Sequence, residues 1–133
     1  MNLKNYQAFV GTTISDASRD FPSMISRLCE LQDNELDVAI PELLTAAVGL
    51  TAEAGEFDEI VKKLVFQGKP LNEENIHHMK RELGDVMWYL AVACRALGTS
   101  IDEILEMNVE KLSARYPAGF EILRSEVRVA SDV

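Results

Sequence analysis

The 133-residue chain carries 13 Lys and Arg against 22 Asp and Glu, giving a net charge of −9 and a pI near 4.7. A chain this acidic offers no basic footprint, which argues against gripping nucleic acid or an anionic membrane as its main task. Its hydrophobic residues, 47% of the total, are too many for a disordered chain and enough for one cored domain over residues 1–133.

The elements read as helices throughout. Tyr6, Phe9, Val10, Ile14 and Ala17 form one stripe at helical spacing. Phe21, Met24, Ile25, Leu28 and Leu31 form a second, with Pro22 suited to a first turn. A third helix is predicted from about Pro41 to Gln67, where Leu43, Ala47, Leu50, Ala54, Phe57, Val61 and Leu64 alternate steps of four and three. That rhythm suits close antiparallel packing in a bundle. Gly68-Lys69-Pro70 ends it. A fourth helix should run from about Glu73 to Leu97, and a fifth from about Ile101 to Tyr116 behind a Ser100/Glu103 capping box. Alternation of period two is confined to Val127-Arg128-Val129, too little for a sheet, and the tail 121–133 is weakly specified. The fold class is all-α, a small antiparallel bundle of about five helices. The longest apolar run, Val86 to Cys94, is too short to span a membrane. The N-terminal MNLKNYQAFV lacks a signal layout, and Cys29 and Cys94 read as buried thiols of a reducing compartment. These features predict a cytoplasmic location. Between Val86 and Ile101 the only charge is Arg95, so that helix is apolar nearly all round and calls for cover by a second copy. A homodimer or dimer of dimers is expected.

Four acids interrupt the apolar faces. On a helical wheel with Leu50 at zero, Glu53 falls near about −60°, inside the stripe, with Glu56 at its edge. Glu82 falls beside Val86 and Ala93, and Asp85 between Tyr89, Val92 and Ala96. Residues 53 and 85 are equidistant from Lys69, and so are 56 and 82. Folded back on that turn, the two helices bring all four carboxylates to one height, about 20 Å from the turn. Like charges about 6 Å apart repel by roughly 3 kcal/mol at an effective dielectric of about 20. A divalent cation relieves this at neutral pH, and oxygen ligands select Mg²⁺, or Mn²⁺ in its place. A di-iron bundle would want Glu-x-x-His, which is absent. His77 and His78 read as solvated.

On the fifth helix Asn108 and Arg115 lie within the stripe of Ile101, Leu105 and Leu112, with Lys111 on its flank. The two cations either neutralise the acid cluster or hold an anion; phosphate beside Mg²⁺ accounts for both features better. Trp88 and Tyr89 read as core residues before base-stacking ones, and Tyr6 and Gln7 as weaker pocket candidates.

Glu53-x-x-Glu56 followed by Glu82-Leu83-Gly84-Asp85 resembles the ExxE…ExxD signature of the MazG-like all-α nucleoside triphosphate pyrophosphohydrolases. ELGDVMWYLA at 82–91 and NVEKLSARYPAGF at 108–120 resemble the same family, and so does the GEF…VKKLVFQGKP stretch between the acid pairs. The similarity covers about residues 41–120. It implies cleavage of an NTP or dNTP between the α and β phosphates, with Glu53, Glu56, Glu82 and Asp85 as Mg²⁺ ligands. Lys111 and Arg115 would bind phosphate, and Asn108 would be a neighbouring polar contact. The superfamily includes dimeric dUTPases and a histidine-pathway pyrophosphohydrolase, so the base stays open. Glu53 or Glu56 would serve as general base. The alternative is a non-catalytic helical oligomerisation or regulatory module that binds nucleotide without turnover.

Overall fold

The computed structural model describes residues 2–33 and 35–127. Over these the chain is all-α: α1 Leu3–Thr13, α2 Asp16–Arg19, α3 Phe21–Gln32, α4 Ile40–Phe66, α5 Glu73–Ala96, α6 Ile101–Arg115 and α7 Ile122–Glu126. The single stripe expected from Tyr6 to Ala17 is two helices. Ile14 is extended and Ser15 opens α2, while the Thr12 and Thr13 hydroxyls take up the Phe9 and Val10 carbonyls that end α1. The tail holds the short α7, which periodicity missed because five residues span too little to show a face. Arg128 and Val129, where alternation was noted, lie outside the described residues.

The centre of the fold is the α4–α5 hairpin, by far the most extensive packing in the chain. Its turn is built by local chemistry. Gly68 takes a left-handed φ of 70°, open to glycine at no steric cost, and the Lys69 amide donates back to the Lys63 carbonyl at 3.1 Å. Asn72 caps α5 by accepting from the Asn75 amide, and the buried Asn75 side chain donates to the Pro70 carbonyl at 2.7 Å. At the open end of the hairpin, the Arg95 guanidinium donates two hydrogen bonds to Glu42, one at 2.8 Å, and the Ala39 amide donates to the Ala96 carbonyl at 3.0 Å.

Midway, Tyr89 lies where a Cβ on Gly49 would stand, so the helices meet closely at that level. Residues 49 and 89 are equidistant from Lys69, the register expected for the acids. Gly49→Ala is therefore expected to displace the Tyr89 ring and destabilise the chain by about 1–3 kcal/mol, the usual cost of overpacking. Thermal unfolding measures it, and a Gly49→Ala/Tyr89→Ala double variant should lose less than the sum of its parts.

Around the hairpin the cover is thin. Among the described residues, the buried apolar ones are Ile40, Ala46, Ile60, Cys94 and Ala96, and no large side chain is fully enclosed. The other helices do not wrap α5: Met87, Trp88 and Leu97 are exposed, as are Leu44 and Val48 on α4. Trp88, read as a core residue, is 59% exposed. Cys29, read as buried, is exposed because it sits beside the α3 stripe, whose Leu28 and Leu31 turn inward; Cys94 is buried. No described helix is long and apolar enough to cross a membrane.

Candidate metal centre

α4 and α5 each carry two acids at i, i+3, and the hairpin register sets them against one another. One carboxylate oxygen each from Glu53, Glu82 and Asp85 lies within 4.8 Å of the others. Glu82 is 6% exposed, Glu53 half-buried, and Asp85 open to solvent. Partial removal from water raises the Glu53 carboxyl above its ordinary range, and the facing charges of Glu56, Asp85 and Glu82 push it the same way. Three crowded hard oxygens, one with its proton affinity raised by partial desolvation and then by its neighbours, form a donor set that fits Mg²⁺ or Mn²⁺ and suits zinc or copper poorly.

Glu56 lies outside the trio, although its charge is first among the neighbours that raise Glu53. Residues three apart on a helix differ by about 60° in direction, so Glu53 points into the groove while Glu56, at the edge of the arc, is exposed. The expectation that all four acids face inward holds fully only for Glu82. Glu56 instead lines a cleft of about 410 Å³ on the turn side of the trio, together with Lys63, Lys69 and His78. His78 was read as solvated, yet its Nε2 lies 2.9 Å from Glu82 Oε1. Its i, i+4 spacing to Glu82 was the signal available in the sequence.

The segment that builds this site is the one that known proteins share. Residues 42–120 match the model of the MazG nucleotide pyrophosphohydrolase domain. The chain belongs to that family. It is 34% identical over 82 residues to "Gene 37 protein" of Mycobacterium phage L5, an alignment covering 61% of this chain and 72% of that protein. No solved structure matches the chain.

The matched MazG segment also contains α6, and here the structure is sparer than the wheel suggested. α6 packs lightly against α5, leaving Asn108 and Lys111 exposed and Arg115 half-buried with its guanidinium 5.7 Å from the Tyr116 ring centre. Among the described residues, no hydrogen bond or ion pair ties Asn108 or Lys111 to the carboxylates of the MazG hairpin. Ser100 caps α6 by accepting from the Glu103 amide at 3.1 Å, the first half of the expected capping box, while the Glu103 carboxylate accepts from the Thr99 hydroxyl. Tyr89 is held against Gly49, whereas Trp88 lines a second concavity of about 460 Å³ with Thr45, Val92 and Arg95.

Proposed function

We propose that the chain is a Mg²⁺-dependent nucleoside triphosphate pyrophosphohydrolase of the cytoplasm, splitting an NTP or dNTP between its α and β phosphates into NMP and pyrophosphate. The observation that carries this reading is the meeting of Glu53, Glu82 and Asp85 from two helices inside the matched segment. A module that only assembled would gain nothing from holding three like charges together, and one that bound nucleotide without turnover would share the acids but release no pyrophosphate.

In this reading Glu53, Glu82 and Asp85 hold the cation, with Glu56 beside them. The chemistry a bound Mg²⁺ supplies is neutralisation of phosphate charge and acidification of water. Glu56, exposed and outside the trio, is the carboxylate left to accept the proton of the attacking water; Glu53 is the other candidate for that role. Asn108, Lys111 and Arg115 bind the triphosphate, Arg115 as a fork and Lys111 as a point charge. The test is pyrophosphate release from a panel of NTPs and dNTPs, with and without Mg²⁺. Release from no member of the panel overturns the reading.

The single domain over 1–133 acts as a homodimer or dimer of dimers. Support comes from the thin core and from the exposed Leu83, Met87 and Trp88 on α5 and Leu44 and Val48 on α4, a larger apolar display than a lone small domain carries. Light scattering at micromolar concentration should give at least twice the 14.8 kDa chain mass, and a stable monomer would refute the assembly.

A further inference from the structure

Glu82 is the most enclosed of the acids, and its surroundings are lopsided. Two other carboxyl groups crowd it, Glu53, which is also within hydrogen-bonding reach of it, and Asp85, both within 4.8 Å, while His78 Nε2 lies 2.9 Å from its Oε1. A carboxylate pressed by two others swings away from them unless something holds it. An ion pair at i, i+4 on an open surface does little holding, because water competes for both partners. Here Glu82 is 6% exposed, so its contact with the imidazole is not averaged away by solvent.

We infer that His78 is a positioning residue of the metal centre: its Nε2–H donates to Glu82 Oε1 and fixes the orientation in which that carboxylate meets a divalent cation. The inference rests on the metal reading proposed above. Histidine suits the task because a neutral imidazole donates one directed hydrogen bond without adding a fixed positive charge beside the cation. A lysine would bring that charge. The ring is placed by its helix, one turn before Glu82, and it also lines the cleft that Glu56 lines. Partners of this kind commonly govern metal affinity by about 10–100-fold through orientation alone.

The experiment is calorimetric titration of the metal-free full chain with Mn²⁺ at pH 8, without nucleotide, so that turnover plays no part. His78→Phe keeps the ring's bulk and removes the donor; it should bind Mn²⁺ about 10–100-fold more weakly. His78→Gln puts an amide N–H near the position of Nε2 and should stay within about threefold of wild type, a rescue that a merely structural role would not give. Metal-free thermal stability should be alike in all three. Should the phenyl variant misfold, His78→Ala carries the same expectation on a half-exposed helical position. Glu82→Gln is the reference. If it weakens Mn²⁺ binding while the His78 variants do not, the positioning role is overturned. If Glu82→Gln binds like wild type, the metal reading falls, and the inference with it.

Discussion

Glu53→Gln should lose pyrophosphate release by about 10²–10³-fold, the scale on which one group of a preorganised electrostatic site contributes, while its helical circular dichroism stays intact. The fold does not need this charge; the structure carries it against repulsion. Glu53 has an ordinary carboxyl value of 4.5, and in the folded chain desolvation, followed by Glu56, Asp85 and Glu82, raises it. The folded chain therefore holds the Glu53 proton more tightly than the unfolded chain does. That contributes stability below about pH 4.5 which is lost as pH rises through the folded-state value. In metal-free buffer the Tm of Glu53→Gln should accordingly gain on wild type as pH climbs from about 4.5 to neutrality. Adding Mg²⁺ should reverse the order, because the charged carboxylate binds the cation more strongly than the neutral amide that replaces it. A Tm gap that ignores both pH and metal would remove crowding as the defining feature of the site, and near-normal turnover would remove Glu53 from it.

The second large effect belongs to α6. If Lys111 and Arg115 served to neutralise the acids, replacing both by Met would destabilise the metal-free chain and Mg²⁺ would rescue it. Lys111 is exposed and makes no ion pair with those acids, which favours the other role. The Lys111→Met/Arg115→Met variant should keep its metal-free melting temperature. Its kcat/KM should fall by roughly 10–150-fold for each charge-assisted hydrogen bond lost, from about 1.5–3 kcal/mol apiece. Arg115→Lys alone should also be impaired, since a point charge cannot reproduce a fork. A double variant with unchanged kcat/KM and a lower metal-free Tm would establish neutralisation instead.

Much of the hairpin was legible because helical period and turn chemistry agree. The step of four and three along α4, the Gly68-Lys69-Pro70 stop and the shared distance of 53 and 85 from Lys69 place the acids opposite one another without any coordinates. What escaped depends on where a side chain leads and on what covers it. A wheel puts Glu56 about 60° from Glu53, at the edge of the arc, but does not say where the cover of the facing helix ends and solvent begins. It gives His78 a surface position, yet the imidazole reaches along the helix to a carboxylate that is itself buried. Trp88 was misread for the opposite reason: an apolar stretch identifies a face that wants cover, and nothing in one chain says that its own helices will provide it.

The Glu42–Arg95 fork gives the acid cluster a property beyond proximity. That pair is open to solvent, but with the Ala39–Ala96 backbone hydrogen bond beside it, Tyr89 packed on Gly49 midway and the Lys69 turn at the other end, α4 and α5 keep one register, and the carboxylates inherit it. A divalent cation bound there would meet oxygens already within 4.8 Å of one another, and its affinity would not be reduced by the entropy of bringing two helices together.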